Sequence, residues 1–185
     1  MESSADPRSF PVHYAALGYL SEGPMHGYEL RERLRRGLGG LWRIASSQLY
    51  SVLHRLEEHG WADPHVESDA ARPARTVYRI TPEGARAFDA WVAEPVAHPR
   101  DLRVEFLAKL YFLRRRSAEA ARGLIDAQVG VLEEADAGLA RRGALESDDA
   151  GFGEIAASFR RQRLRSTIEW LRESEALLTE VEETR

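Results

Sequence analysis

Cysteine is absent, and Lys109 is the only lysine. Without a thiol the chain can form no disulfide framework, no thiolate zinc site and no cysteine nucleophile. No apolar run approaches transmembrane length. The N-terminal Met1-Glu2-Ser3-Ser4-Ala5-Asp6-Pro7 lacks the apolar core of a signal peptide, so the cytoplasm is the expected compartment. Catalytic signatures are missing as well. The six histidines, His13, His26, His54, His59, His65 and His98, show no H-E-x-x-H spacing. There is no G-x-S-x-G elbow and no phosphate-binding glycine loop. Gly37-Leu38-Gly39-Gly40 follows no strand and reads as a turn. An enzyme, a metal site and a cofactor are therefore not expected. Nor is there a basic balance. The net charge is −4, and residues 1–95 carry 11 arginines against 13 acids. A nucleic-acid binder usually shows a basic excess, so any such role here has to rest on local patches.

What is present fits one or two globular domains: 185 residues, 43% hydrophobic and 30% charged, enough to bury a core. The stretch that organises the chain is 46–60. Leu49, Val52, Leu53 and Leu56 recur at offsets of three and four, an apolar helical stripe. Ser46 stands at the expected N-cap and Gly60 at the C′ position. The other face carries Ser47, Gln48, Tyr50, Ser51, His54 and Arg55. It has few charges but many groups able to donate, accept or stack, the inventory for reading base edges. Taken alone, it fits an ordinary surface helix equally well.

Its neighbours give the context. Val12 to Leu20 form a short apolar helix, broken at Glu22-Gly23-Pro24. Met25-His26-Gly27-Tyr28-Glu29-Leu30 opens a second helix, with Arg31, Arg33, Arg35 and Arg36 outward beside Glu29 and Glu32. Those arginines suit either a ligand or a solvated face laced with i,i+4 pairs. Leu41-Trp42-Arg43-Ile44 is a short extended stretch ahead of the third helix. Residues 61–67 can form an edge strand containing Pro64. Residues 68–75 read as a turn-prone loop, and Thr76-Val77-Tyr78-Arg79-Ile80 as a second strand. Thr81 caps a further helix with Pro82 at its first position and Phe88, Trp91 and Val92 inward. Helix, helix, helix, hairpin, helix is the order of a winged helix-turn-helix, whose third helix enters the major groove. Pro95 and Pro99 bracket a hinge. Beyond it, helices built on Phe106–Leu113, Leu124–Leu139 and Ile155–Val181 offer more apolar surface than so small a domain can hide. A coiled-coil-like dimer would bury the surplus; a closed monomeric bundle is the alternative. The expected fold is mainly α: a winged helix-turn-helix with a two-stranded wing over 11–95, then a helical dimerisation domain over 100–183.

The segments Leu17-Gly18-Tyr19-Leu20, Gly23 to Leu30, Gln48 to Glu57 and Arg72 to Gly84 resemble the phenolic acid decarboxylase regulator (PadR) family of bacterial transcription factors. Gly-Tyr-Glu-Leu, Leu-Tyr and Tyr-Arg-Ile-Thr-Pro-Glu-Gly, in this order, carry the resemblance. It implies a homodimeric winged-helix repressor acting on a palindromic operator in double-stranded DNA. The helical tail resembles the family's larger-tailed subgroup, where the tail dimerises and can adjoin an effector site. Ser47 and Gln48 stand where the family often has proline, glycine or threonine, so no operator sequence carries over.

The candidate DNA-binding residues are Tyr28, Ser46, Ser47, Gln48, Tyr50, Ser51, His54, Arg55, Arg72 and Arg75. Gln48 suits adenine, Arg55 guanine or phosphate, and the two wing arginines phosphates or the minor groove. Tyr50 suits a thymine methyl or a phosphate, or packs under the wing; Tyr28 suits a phosphate or the core. Tyr14, Trp42, Phe106, Tyr111 and Trp170 are candidate walls for a small hydrophobic or aromatic effector. The rival to DNA binding is a winged helix that contacts only protein, which the acidic balance favours.

Overall fold

The computed structural model describes residues 11–38, 45–69, 72–143 and 148–183. The element order is α1 (Pro11–Leu20), β1 (Met25–His26), α2 (Gly27–Gly37), α3 (Ser46–Glu58), β2 (Ala62–Asp69), β3 (Arg72–Ile80), α4 (Pro82–Ala93), a 3₁₀ turn (Pro99–Asp101), a π-helical turn (Leu102–Phe106), α5 (Leu107–Arg116), α6 (Ala118–Arg142) and α7 (Ala150–Glu183). The chain divides into two compact units. One comprises Met1–Ala93 with Arg103–Phe112, the other Glu94–Leu102 with Leu113–Arg185.

The first unit is built around α1. That helix is apolar on all sides, so burial on every side is its stable environment, and residues His13 to Leu20 are all buried. It touches α2, α3, α4 and β3. Phe112 lies edge-on to Tyr19 and Phe88, with ring centroids 5.2 and 5.4 Å apart. A Cβ at Gly18 would stand 2.7 Å from the Phe112 ring, which is why glycine occupies that position. Lys109 is 2% exposed, an unusual place for an ammonium. It is partnered there: Glu105 lies 2.9 Å away and also accepts from Trp91 Nε1 at 2.9 Å, while the ammonium sits 5.1 Å from the Trp91 ring centre. A buried charge without such partners would be strongly destabilising.

The sheet has the order β1-β3-β2, all antiparallel. The expected hairpin is there, with Pro64 on the edge strand β2. A third strand, β1, joins its other side, at residues whose local pattern points to the start of a helix. Two residues are too few to show alternation, and β1 exists only through its pairing with β3. The hairpin also runs further than expected. Strand pairing reaches Asp69↔Arg72 across a register shift, so Arg72 and Arg75 lie on β3 and not in a loop. Thr81 caps α4 as expected: its hydroxyl accepts from Gly84 N–H at 3.0 Å and donates to the Gly60 carbonyl at 2.7 Å. These elements make the first unit a winged helix-turn-helix.

In the second unit, α6 and α7 run antiparallel. Arg161 and Arg165 bond Asp136, and Arg172 bonds Glu133. Ser117 caps α6, accepting from Ala120 N–H, and Gly143, at φ 72°, ends it. Gln128 is fully buried and clamps Val96, accepting from its N–H at 2.7 Å and donating to its carbonyl at 3.0 Å. On α7, Ala157, Leu164, Ile168, Leu171 and Leu178 are buried at heptad-like spacing. A second apolar set on the same helix, Phe152, Ile155, Phe159, Trp170 and Leu177, is exposed. At about 100° per residue these five fall within a wedge of roughly 60° on another side of α7.

Gly37 sets a tight contact in the first unit. A Cβ there would collide with the Tyr19 hydroxyl and lie 2.6 Å from that of Tyr111, which the Tyr19 hydroxyl meets at 3.2 Å. Gly37→Ala should therefore lower stability by about 1–3 kcal/mol despite alanine's better helix propensity. Adding Tyr19→Phe should recover part of the loss. Thermal unfolding by circular dichroism checks this, and an unchanged or raised Tm for Gly37→Ala would refute it.

Candidate nucleic-acid interface

Helix α3 is two-faced, as its spacing predicts. Leu49, Val52, Leu53 and Leu56 are buried, while Ser47, Gln48, Tyr50, Ser51, His54 and Arg55 are exposed. Each fully buried aliphatic side chain contributes about 1.5–3 kcal/mol, so the stripe decides which face looks out. The helix ends as a Schellman motif: Trp61 N–H donates to Leu56 O and Gly60 N–H to Glu57 O, both at 2.8 Å, with Gly60 at φ 65°. Its start differs from expectation. Ala45 is the N-cap and contributes no side-chain bond, and Ser46 is the first helical residue, its side chain outside the described residues. An alanine cap leaves the first-turn N–H groups without a side-chain acceptor. Along the exposed face, Ser51 Oγ donates to Ser47 O at 3.1 Å and His54 stands 3.4 Å from Glu58.

Beside α3 lies an open groove of about 620 Å³, lined by His26, Gly27, Tyr28, Glu29, Tyr50, Arg75, Thr76 and Tyr78. It brings together three of the expected residues, Tyr28, Tyr50 and Arg75, from α2, α3 and β3. Tyr28 is 70% exposed and Tyr50 61% exposed, so neither is a core residue. Pairing of Met25 with Tyr78 and of His26 with Val77 fastens the start of α2 to the wing strand. His26 Nδ1 reaches the Thr76 carbonyl at 3.3 Å and therefore carries the proton in that contact. His26 is also the N-cap of α2 and offers no side-chain bond to it. Gly27 lets α2 approach α3: a Cβ there would stand 3.3 Å from Leu53 Cδ1. Tyr78, which also lines the groove, is buried. Burial first, then the charges of Glu57 and Tyr50, push its pKa up. An uncapped helix N-terminus, a guanidinium and two phenol hydroxyls converge here, and these are groups that bind phosphate oxygens. Glu29 opposes them, and Arg33 holds its carboxylate at 3.2 Å.

The arginines of α2 form a paired, solvated face. Arg33 also reaches Glu22 at 2.8 Å, Arg35 and Arg36 both reach Glu32 at 2.5 Å, and the Arg31 guanidinium lies 5.1 Å from the Tyr28 ring centre. On the wing, Arg75 is exposed; the Arg72 side chain is outside the described residues. The aromatic effector candidates divide. Tyr14 stacks on Trp91 with centroids 5.0 Å apart, Phe106 is fully buried, and Tyr111 meets Tyr19, all three within the first unit. Trp170 is 41% exposed on α7 in the second unit, and Trp42, like the rest of 39–44, is outside the described residues. Sequence reasoning passed over His26, Glu29, Thr76 and Tyr78 as groove residues. The pairing of β1 with β3, Met25 with Tyr78 and His26 with Val77, brings these segments together, and no local pattern announces it.

Residues 16–90 match the model of the "Transcriptional regulator PadR-like family". The negative transcriptional regulator PadR of Bacillus subtilis is 27% identical over 118 residues, which cover 64% of this chain and 65% of that protein. The alignment thus spans just under two-thirds of that relative's length. Among solved structures, a transcriptional regulator from Clostridium thermocellum is 34% identical, covering 43% of this chain and 76% of that one, at a TM-score of 0.39. Bacillus subtilis PadR in complex with operator DNA is 22% identical, covering 90% of this chain and 98% of that one, at a TM-score of 0.45.

The paired face of α2 has a titration signature. The hydrogen bond from Arg35, with the charges of Arg35 and Arg36, lowers the Glu32 pKa from 4.5 to about 2. A carboxylate depressed in the folded state stabilises above its unfolded pKa, and that contribution is lost as pH falls from 4.5 through about 2. Side-chain NMR titration should place the Glu32 midpoint well below those of unpaired glutamates, and Arg35→Ala should raise it. An ordinary midpoint in the unmutated protein would contradict the pairing.

Proposed function

Because the chain belongs, through residues 16–90, to the transcriptional regulator PadR-like family, we propose that it is a cytoplasmic, homodimeric repressor that binds a palindromic operator. The family is one of transcriptional regulators, not enzymes. The observation that carries this reading is the continuity of α3's exposed polar face with the groove holding Tyr28, Tyr50 and Arg75. In this reading α3 enters the major groove, with Gln48, Ser47 and Ser51 near its N-terminal end at base edges and Arg55 further along. The groove takes a backbone phosphate on the N-terminus of α2, with Arg75 and the tyrosine hydroxyls as further donors. Ser46 and Arg72 stand beside these residues in sequence, and we assign them to the same interface. Repression is inferred from the Bacillus subtilis relative, a negative transcriptional regulator.

The exposed stripe of α7 supports the dimer. Five large apolar side chains on one side of a long helix form a patch that a second copy can bury. We divide the labour at the hinge: residues 11–95 bind DNA, and residues 100–183 dimerise and respond to a small hydrophobic or aromatic effector. Tyr14, Trp42, Phe106, Tyr111 and Trp170 are the residues to test for that response, which should appear as a change in tryptophan fluorescence.

Fluorescence anisotropy with the protein's own upstream region and with an unrelated duplex tests the reading. Arg75→Ala should weaken both to a similar degree. Gln48→Ala should cost about 1–3 kcal/mol on the operator and little on the unrelated duplex. Equal losses from both variants on both duplexes would remove Gln48 as a reader. A winged helix that contacts only protein would bind neither duplex at low salt. Phe159→Glu should convert the dimer to a monomer in sedimentation and lower operator affinity with it. A wild-type monomer would rule the dimer out.

A further inference from the structure

Histidine is the side chain that changes charge between about pH 5 and 8, and the groove beside α3 is lined by one, His26. It is half-buried where α2 begins, among Tyr28, Glu29, Tyr50, Arg75 and Tyr78. The ladder between β1 and β3 stops at His26↔Val77, because Gly27 begins α2. The imidazole extends it by one bond, from Nδ1 to the carbonyl of Thr76, the next residue along β3. That bond fixes the ring's proton. A carbonyl only accepts, so Nδ1 donates, and a neutral ring held this way keeps a lone pair at Nε2. Backbone phosphate oxygens are acceptors too, so the neutral ring has no donor for them at Nε2. A second proton turns Nε2 into a charged donor, the kind that binds a phosphate oxygen well.

We propose that His26 is a phosphate ligand of the DNA interface, and that binding DNA puts a second proton on its ring. The proposal rests on the DNA-binding reading above and adds a proton to its stoichiometry. The proton comes from solvent, bonds to Nε2 and is shared with a non-bridging phosphate oxygen, while Nδ1 keeps its bond to Thr76. The charges around the ring are few. Glu29 of α2, held by Arg33 at 3.2 Å, attracts an imidazolium, and Arg75 of β3 repels it. A phosphate in the groove attracts both cations and so turns the balance towards the protonated ring. The other titratable groups on the groove are the phenols of Tyr28 on α2, Tyr50 on α3 and Tyr78 on β3. On β2, His65 stands opposite Val77 across the far side of β3 and is exposed. Because the complex holds the extra proton, affinity falls as pH rises through the neutral range. Because the contact is to backbone, the effect is the same on any duplex.

Isothermal titration calorimetry reads the proton directly. The full-length protein is titrated with its upstream region and with an unrelated duplex, in two buffers of different ionisation enthalpy. About half a proton should be taken up per protomer near neutral pH on both duplexes. Affinity should fall about fivefold to tenfold from about pH 6 to about pH 8. His26→Asn places an amide N–H near the Nδ1 position, which keeps the tie to Thr76, and removes Nε2. It should abolish the uptake and flatten the pH profile, with affinity close to that of the wild type only at the alkaline end. The profile should survive in His65→Gln, on the wing, and in His54→Gln, which removes the imidazole of α3. The wild-type uptake stands as a test without any variant. Binding with no proton uptake, a profile that persists in His26→Asn, or one that disappears with His54 or His65 would each overturn the assignment. A wild-type protein that binds neither duplex would instead sink the DNA-binding reading, and this one with it.

Discussion

Leu49, Val52, Leu53 and Leu56 must leave water, and α3 can bury them only by turning its other side outward. That hydrophobic constraint presents Gln48, Tyr50, Ser51 and Arg55 together. The rest of the first unit holds α3 in place. α1 gives up all solvent contact along most of its length to serve as the surface against which the other helices pack. Gly27 removes the side chain that would keep α2 away from Leu53. β1 fixes the start of α2 to the wing, and the strand residue Tyr78 is buried. The groove is what remains open where these three elements meet.

Charge is handled with equal economy. The arginines of α2 meet acids on the same helix or just before it. Exposed pairs of this kind add little to stability. In the proposed reading, a chain of net charge −4 acts on DNA through a few placed contacts on α3 and the groove beside it. The buried Lys109–Glu105 pair has a different role. It anchors Trp91 and the π-helical turn inside the first unit, where either charge alone would be costly.

Much of this was legible in the residues. The two faces of α3 follow from a four-residue apolar period. Gly60 marks the helix end because only a residue tolerant of positive φ closes a Schellman turn comfortably. Thr81-Pro82 marks the start of α4, and the arginine and glutamate offsets on α2 give its ion pairs. Other features depend on contacts between distant segments and leave no local trace. β1 is two residues that become a strand only against β3. Asp69 and Arg72 look like turn residues, yet the ladder continues through them. Ser46 has the chemistry of a cap, but the chain enters α3 one residue earlier, at Ala45. Tyr78 reads as an ordinary strand aromatic until the fold places it under the groove.

The most direct test of the account is to map the duplex onto the protein. Backbone and side-chain NMR of the full-length chain, titrated with its own upstream DNA, should show the largest shifts at Gln48, Tyr50, Ser51 and Arg55, together with Tyr28 and Arg75. Binding that leaves α3 and the groove unmoved, with shifts confined to other surfaces, would contradict it.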